Sequence, residues 1–232
     1  MKISLVLPTF NEAKNLMKNI KKIENLFKKI NYNYEIIIAE DGSTDGSDII
    51  ASGLSKKFSK IKHLHSPKRK GKGKAIKDAF RTSRGEILTF MDVDLSTDIS
   101  YFPKLIDAIK NGADIAIGSR HLKESKIERS LTREFFSRSY NLLVKVLFRT
   151  KIKDFQCGFK AFKRRTLPIL LSAKDNGFFW DTEALILAER KGLKIVQIPV
   201  RWKEAKRTKV NLLKGPLKMF YSLVKLRARL IR

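Results

Sequence analysis

The chain has 232 residues, of which 43% are hydrophobic, so it is long enough to bury a core and too apolar to be disordered. A single cysteine excludes an intramolecular disulfide framework, and no stretch approaches the roughly 18–20 uninterrupted apolar residues that span a bilayer. The formal net charge is +27, and residues 120–232 carry +20 of it. We therefore expect a soluble or peripheral protein whose second half meets an anionic partner.

The charge excess alone does not identify that partner, which could be nucleic acid, an anionic membrane surface or a phosphorylated substrate. The sequence contains no Cys/His finger spacing, no aromatic-rich RNA-binding strand and no basic region followed by heptads. We therefore predict that the protein binds no nucleic acid. A lysine-rich solvated surface of the kind found in heat-adapted proteins is the alternative explanation of the excess.

Apolar β-branched runs alternate with helical patterns along the first half of the chain, which is typical of a parallel sheet with helices on its faces. The predicted strands cover residues 3–8, 34–40, 61–65 and 86–91. The predicted helices cover residues 12–29, 46–58 and 74–82. The first residues are too few, and too soon followed by polar ones, for a secretory signal. We therefore expect an α/β fold in a cytoplasmic protein.

Three polar clusters follow predicted strands, and ligands of such sheets bind at the edge where the carboxyl ends of the strands meet. The clusters are residues 8–12, 41–43 and 92–94. Asp92 and Asp94 follow a strand at positions i and i+2, where two carboxylates can hold a divalent cation against a diphosphate. Turn chemistry explains any one cluster but not the edge that all three share. The sequence therefore predicts a nucleotide-sugar site at this edge.

The remaining features that suggest sites predict no further chemistry. A basic loop with two glycines over residues 68–74 lacks the spacing and the terminal Ser or Thr of a P-loop, which excludes an ATPase. Its glycines allow the backbone to approach a phosphate, and a solvated loop is the alternative. His63, His65 and His121 show no metal-ligand spacing and are predicted to be strand and loop residues. Cys157 has no His partner nearby in the sequence and is predicted to pack in the core.

Seven segments resemble, in order and spacing, the family 2 glycosyltransferases with a GT-A fold. They are LPTFNE (7–12), EDGSTD (40–45), GKGKA (71–75), MDVDLS (91–96), GSR (118–120), DFQCGFK (154–160) and FWDTE (179–183). The resemblance covers residues 1–210 and is strongest to the polyprenyl-phosphate branch, the dolichyl-phosphate glucose and mannose synthases. Residues 129–133 and 156–160 look closer to the glucosyl members. The resemblance implies a Rossmann-like, mostly parallel sheet flanked by helices.

The same resemblance implies roles for residues of a donor site. Asp92 and Asp94 would bind Mg²⁺ or Mn²⁺ against the two phosphates of a nucleoside diphosphate sugar, at the centre of catalysis. Asp41 would accept a hydrogen bond from the base, because a carboxylate suits an imide or amide N–H donor. The residues that would line the nucleotide-sugar pocket together with Asp92 and Asp41 are Pro8, Asn11, Glu12 and Lys74.

For the acceptor, the resemblance implies a polyprenyl phosphate. A phosphate monoester, with a second pKa of about 6, is ionised near pH 7 and needs no general base. Cations would hold it instead, and the candidates are Arg120, Arg129, Arg133 and Lys209. Solvated arginines on a helix surface are the alternative for Arg129 and Arg133. Asp181 would shape the sugar or acceptor pocket, whereas relatives outside this branch place a general base near this position.

Residues 212–232 alternate apolar and basic side chains at helical spacing. We predict a basic amphipathic helix over residues 211–232, after a catalytic domain of residues 1–210. Such a helix would lie at an anionic membrane surface, where each basic residue contributes about 1 kcal/mol. Packing on the domain or on a second copy is the alternative. Many relatives carry transmembrane helices that this sequence does not show, so a membrane-protein partner is a candidate anchor.

The sequence thus predicts an inverting glycosyltransferase at the cytoplasmic face of a membrane. It would transfer glucose from UDP-glucose, or mannose from GDP-mannose, to a polyprenyl (dolichyl) phosphate. One alternative keeps the fold and transfers the sugar to a saccharide or glycolipid hydroxyl, with Asp181 as the general base. A second alternative is a non-catalytic, basic protein that binds membranes or nucleic acid, against which the intact pair of Asp92 and Asp94 argues.

Overall fold

The computed structural model describes residues 1–204 and 214–231, which contain two sheets. Their strands are β1 (Lys2–Thr9), β2 (Asn33–Asp41), β3 (Ile61–Ser66), β4 (Ile87–Met91), β5 (Ile115–Ser119), β6 (Lys126–Glu128), β7 (Phe159–Lys163), β8 (Ile195–Pro199) and β9 (Arg201–Lys203). The large sheet has the order β3-β2-β1-β4-β7-β5-β8, and β7 runs antiparallel to both of its neighbours. The strands β6 and β9 form a separate parallel pair.

Helices cover both faces of the large sheet. They are α1 (Ala13–Lys29), α2 (Ser47–Lys57), α3 (Lys72–Thr82), α4 (Phe102–Lys110), α5 (Leu131–Phe148), α6 (Leu167–Ser172), α7 (Trp180–Arg190) and α8 (Lys214–Ile231). One face packs against α1, α2 and α4, where the rings of Phe27 and Phe102 lie 4.8 Å apart. The opposite core includes residues of α3, α5, α6, α7 and α8, among them Phe80 and Trp180. A mostly parallel sheet needs both faces covered in this way.

The predicted α/β fold with a mostly parallel sheet is confirmed. All four strands and three helices predicted for the first half are present, with bounds that agree within two residues. The largest difference is at α3, which begins at Lys72 rather than Lys74. That shift matters for the site, because it places Lys72 in the first turn of a helix.

The strand order reverses between β1 and β4, which lie side by side although β2 and β3 come between them in the chain. Ligands of open α/β sheets bind at such a switch point, outside the carboxyl ends of the strands. On its other side β4 pairs with the antiparallel β7, with Met91 opposite Phe159. The residues that precede β7 therefore reach the same edge as those that follow β4, and the N–H of Asp92 donates to the carbonyl of Gly158 at 2.9 Å.

The C-terminal helix α8 belongs to the core as well as to the surface. It buries Leu223 and Leu226 against the face that α3 and α7 also cover. Its exposed apolar side chains are Phe220, Tyr221, Val224 and Ile231. The helix thus packs on the domain through one side and presents a second apolar side outward. The predicted boundary at residue 210 lies outside the described residues, and within the described ranges no helix is long and apolar enough to cross a membrane.

Candidate active site

The loops after β1 and β2 form one hydrogen-bonded unit at the switch point. The N–H of Asn11 donates to Ser43 Oγ at 3.0 Å, and Asn11 Oδ1 accepts the N–H of Thr44 at 2.8 Å. The N–H of Glu12 donates to Ser47 Oγ at 2.7 Å. Asn11 has a φ of +53°, a left-handed conformation that Asn tolerates better than most residues. Two of the predicted polar clusters, 8–12 and 41–43, are therefore held together as the sequence led us to expect.

Asp41 anchors the basic glycine loop. Its two carboxylate oxygens accept the backbone N–H groups of Lys70 at 2.7 Å and Gly71 at 2.8 Å. Lys74, on the first turn of α3, forms an ion pair with Asp78. Asp41, Lys70, Lys74 and Asp78 lie around a half-open cleft of about 300 Å³ at the carboxyl ends of β2 and β3. The basic loop thus lies beside the predicted nucleotide-binding residues, and in this arrangement Asp41 holds the loop.

Asp92 and Asp94 lie where β4 ends, next to the loops after β1 and β2. Burial alone would raise the pKa of Asp92, but the ammonium of Lys72, 2.8 Å from Asp92 Oδ1, outweighs burial and lowers it. The pKa of Asp94 is raised, first by burial and then by the negative charge of Asp92, with Glu12 adding to the effect. Asp94 Oδ1 also accepts the N–H of Ser96 at 2.9 Å. The pair is therefore a concentration of negative charge that a cation would relieve.

These carboxylates fit a hard divalent cation. Mg²⁺ is usually bound by one or two carboxylates together with substrate phosphates and water, and Mn²⁺ takes the same oxygen ligands. Asp92 and Asp94 supply such oxygens, and after burial the negative charge of Asp92 is the next cause that raises the pKa of Asp94. Lys72 forms its ion pair with Asp92, and Asp94 adds to the negative charge around its ammonium.

A chain of alternating charges runs inward from Asp92. Lys72 lies 2.8 Å from Asp92 and 3.7 Å from Asp181, and Lys160 lies 2.6 Å from the other oxygen of Asp181. Burial alone would lower the pKa of Lys72, but Asp92 and Asp181 together raise it above its ordinary value. The side chains of Lys160 and Asp181 are only 1% and 3% exposed, and Lys160 also donates to the carbonyl of Cys157 at 2.7 Å. Asp181 is therefore engaged with two ammonium groups.

Close packing explains one of the glycines in the basic loop. A β carbon on Gly73 would collide with the side chain of Trp180, and the N–H of Gly73 donates to the carbonyl of Gly177 at 3.2 Å. The start of α3 therefore presses directly against the start of α7. This contact brings Lys72 and Asp181, one from each helix, into the same ion-pair chain.

The three candidate arginines of the acceptor site are each paired with a carboxylate. Arg120 donates from Nε and Nη2 to the two oxygens of Asp154 at 2.7 and 2.9 Å. Burial alone would raise the pKa of Asp154, but Arg120 outweighs it and holds that pKa well below its usual range. Arg129 pairs with Glu134, and Arg133 Nη1 lies 2.5 Å from Glu204.

Trp202 brings two of these arginines together. The guanidinium carbons of Arg120 and Arg129 lie 5.5 and 5.9 Å from the centre of its ring. The small sheet makes this possible, because β9 carries Trp202 and β6 ends one residue before Arg129. Arg129 Nη2 is buried and has no hydrogen-bond partner among the described residues. Lys209, the fourth candidate for the acceptor phosphate, lies outside the described residues.

Sequence reasoning missed four residues that build this site: Lys72, Asp154, Lys160 and Trp202. Three of them fall inside segments already recognised as motifs, GKGKA and DFQCGFK. The sequence did not reveal the ion-pair and ring partners of these residues, because each partner lies far away along the chain. Cys157, predicted to pack, is fully buried, and burial raises the pKa of its thiol to about 11.

Comparison with known proteins identifies relatives over nearly the whole chain. The sequence model of glycosyl transferase family 2 matches residues 4–168. Glycosyltransferase AglD of Haloferax volcanii is 37% identical over 94% of this chain, which spans only 36% of that protein. Dolichyl-phosphate beta-glucosyltransferase ALG5D of Trichomonas vaginalis is 32% identical over 97% of this chain and 72% of its own length.

A solved structure shares the fold. The crystal structure of glucosyl-3-phosphoglycerate synthase from Mycobacterium tuberculosis, in complex with Mn²⁺, UDP-glucose and phosphoglyceric acid, matches with a TM-score of 0.72. The match covers 98% of this chain and 80% of that chain at 19% identity, so it concerns the fold alone. Together with the family match and the paired aspartates after β4, it leads to one conclusion: the chain belongs to glycosyltransferase family 2 and has the GT-A fold.

Proposed function

We propose that the protein is an inverting glycosyltransferase that transfers a hexose from a nucleoside diphosphate sugar to a polyprenyl phosphate such as dolichyl phosphate. The donor would be UDP-glucose or GDP-mannose. The observation that carries this proposal is the pair Asp92 and Asp94 at the switch point of the sheet, next to the basic loop and the arginines. The names of the relatives support the acceptor, since one of them is a dolichyl-phosphate beta-glucosyltransferase.

At the donor side, the first loops would hold the nucleotide and the aspartates its diphosphate. Pro8, Asn11, Glu12 and Asp41 line the edge where the base and ribose would lie, with Lys74 at the cleft below. Asp92 and Asp94 would hold Mg²⁺ or Mn²⁺, and such an ion, when bound, neutralises charge that develops on the leaving diphosphate. Lys72, which pairs with Asp92, would add a positive charge beside the diphosphate.

At the acceptor side, the reaction needs cations rather than a base. The phosphate monoester is already ionised near pH 7 and can displace the diphosphate in line, which inverts the anomeric carbon. Arg129 and Arg133 lie at the start of α5, and Arg120 is fixed beside them by Asp154 and Trp202. We assign these arginines, with Lys209, to the acceptor phosphate.

The arrangement of Asp181 favours this acceptor over a hydroxyl. A general base must have a lone pair within reach of the substrate proton. Both oxygens of Asp181 face lysines instead, and its side chain is 3% exposed. Asp181 therefore fits the role of holding Lys72 and Lys160 better than that of a base, which leaves the saccharide or glycolipid hydroxyl as the less supported acceptor.

Exposed apolar side chains on two neighbouring helices, α5 and α8, support contact with a membrane surface. α5 exposes Leu131, Phe135, Leu142 and Val146 at spacings that place them on one side of the helix. α8 exposes Phe220, Tyr221, Val224 and Ile231, and the two helices are in contact. Exposed apolar side chains on a protein of net charge +27 suit an anionic lipid surface. We assign this two-helix face to peripheral contact with the cytoplasmic face of a membrane, with a membrane protein as a candidate partner.

Turnover of labelled donors tests the proposal directly. UDP-glucose and GDP-mannose are incubated with dolichyl phosphate in detergent and Mn²⁺, and label in the organic phase is counted. Transfer from one donor that is lost in Asp94→Ala, and kept in the exposed control Asp107→Ala, supports the lipid-phosphate acceptor. Slow release of nucleotide without lipid product in the wild type would redirect the search to hydroxyl acceptors. Salt-dependent binding to duplex DNA without turnover of either donor would point to the non-catalytic alternative.

A further inference from the structure

A second group of potential metal ligands lies at the edge of the sheet, on β3. His63 and His65 alternate along this strand, so both side chains point to the same face. Glu40 lies on β2 directly opposite His65. One ligand atom from each of the three residues lies within 4.8 Å of the others. His63 and His65 are strand residues, as predicted, and their spacing along the sequence did not indicate this cluster because the third residue comes from the neighbouring strand.

Two of the three side chains are in direct contact, and the third has an unpaired atom. His65 Nδ1 lies 2.6 Å from Glu40 Oε2, while Glu40 Oε1 accepts the N–H of Ser43 at 2.5 Å. One oxygen of Glu40 therefore binds Ser43 in the loop after β2, and the other contacts His65. His63 Nε2 is buried and has no hydrogen-bond partner within residues 1–204 and 214–231. Buried polar atoms are nearly always paired, so this unpaired imidazole nitrogen, on one of the three clustered side chains, points to a missing partner.

We propose that Glu40, His63 and His65 bind a zinc ion. Two imidazoles and one carboxylate form a ligand set that zinc accepts, with a water molecule or another group in the fourth position. The side chain of His65 is 48% exposed, which leaves a path for the ion from solvent. Asp48, in the first turn of α2, contributes negative charge near His63. The cluster therefore offers both the ligands and the charge that a divalent cation requires.

This zinc site is separate from the aspartate pair. β3 is the edge strand, and β2 and β1 lie between it and β4. The two sites also differ in chemistry, because imidazole nitrogens suit zinc whereas carboxylates with phosphates suit Mg²⁺ or Mn²⁺. The inference does not depend on the proposed transfer reaction, since it concerns binding of the ion by the folded chain.

The zinc site is nevertheless connected to the loop after β2, which contains Ser43. Glu40 accepts the N–H of Ser43, and Ser43 Oγ accepts the N–H of Asn11. Outer hydrogen bonds of this kind orient metal ligands, and the coupling works in both directions. We expect an ion on Glu40 to stiffen residues 41–47, and Glu40, Asp41 and His65 all line the cleft beside the basic loop.

Metal titration of the full chain tests the inference. Zn²⁺ is titrated against a chromophoric chelator, and Co²⁺ is added separately to record visible absorption bands of a cobalt ion with nitrogen ligands. The wild type and Asp92→Asn should each bind one Zn²⁺ at this site and give the same Co²⁺ spectrum. His65→Ala, which changes an exposed side chain, should weaken Zn²⁺ binding at least about tenfold and abolish the spectrum. Glu40→Gln should weaken binding while its amide oxygen still accepts the N–H of Ser43.

His121→Ala is the matched control, because His121 is the one remaining histidine and lies outside the cluster. It should bind Zn²⁺ as the wild type does. Circular dichroism of each variant establishes that it is folded. Equal Zn²⁺ affinity in the wild type and His65→Ala, or loss of the cobalt spectrum in Asp92→Asn, would overturn the inference.

Discussion

Gly158 makes room for the carboxylate of Asp92: a β carbon built on Gly158 would collide with all three terminal atoms of that carboxylate. The carbonyl of Gly158 also accepts the N–H of Asp92 at 2.9 Å. One residue therefore fixes the backbone of Asp92 and leaves space for its side chain. This relationship exists because β7 runs antiparallel beside β4, which brings the residue before β7 to the residue after β4.

Replacing Gly158 by Ala should therefore abolish most of the activity without unfolding the protein. The new methyl group must displace the carboxylate of Asp92, and a displacement of about 1 Å in a catalytic site costs roughly 100-fold in rate. The measurement is donor turnover together with Mn²⁺ binding. Gly53→Ala is the matched control, since no atom lies near the added methyl group and an alanine suits the interior of α2. Wild-type turnover in Gly158→Ala would contradict the prediction.

Asp181→Asn should lower stability, because it removes the negative charge that pairs with a buried lysine. Breaking a buried ion pair by removing one partner costs about 3–5 kcal/mol of unfolding free energy. Lys160 has 1% of its side chain exposed and would face a neutral amide oxygen instead of a carboxylate, with the carbonyl of Cys157 as its other acceptor. Urea denaturation measures the loss, and the double variant Lys160→Met with Asp181→Leu should recover much of it. An unchanged stability with a fall of several hundredfold in turnover would instead make Asp181 a general base.

The sequence was sufficient to place the donor side of the site, because its residues directly follow predicted strands in the chain. Each polar cluster directly follows a strand, and the carboxyl ends of parallel strands lie at one edge of the sheet. The sequence alone therefore predicts that residues 8–12, 41–43 and 92–94 lie together. The first half of the chain also alternates strands and helices regularly, which is why its element bounds agree within two residues.

The second half resisted prediction because its contacts are not local. Asp154 meets Arg120 across 34 positions, and Lys160 meets Asp181 across 21. These pairs form because β7 lies antiparallel between β4 and β5. The sequence of β7, FKAFK, does not predict this position or direction. The histidines illustrate the same limit. The spacing of His63 and His65 indicates a possible metal site only together with Glu40, which lies opposite His65 on β2.

Glu35 should make the fold sensitive to acid. Burial opposes its ionisation, but hydrogen bonds from Lys62, Ser4 and the N–H of Arg84 outweigh burial and lower its pKa to about 2. In the unfolded chain the pKa of a glutamate is about 4.3, so the folded state binds fewer protons between these values. Stability from this group is full above about pH 4.5 and is lost as the pH falls towards 2.

The check for Glu35 is a series of urea denaturation curves between pH 7 and pH 3. The difference in unfolding free energy between the wild type and Glu35→Gln should be on the order of 2 kcal/mol at pH 7 and should shrink as the pH falls. Glu86→Gln, a largely exposed carboxylate near the N-terminus, is the control and should leave the pH dependence unchanged. A difference that stays constant with pH would show that Glu35 acts through packing alone.

The exposed side of α8 should govern membrane binding, while its buried side governs stability. Phe220 and Val224 are 52% and 49% exposed, whereas Leu223 is fully buried. Phe220→Ser with Val224→Ser should therefore reduce binding to anionic vesicles at least about tenfold, because such binding scales with the apolar area inserted, and should leave the melting temperature unchanged. Leu223→Ala should do the reverse and cost about 2–5 kcal/mol of unfolding free energy. Vesicle sedimentation and calorimetry separate the two effects, and equal vesicle binding by the double variant and the wild type would remove α8 from the membrane face.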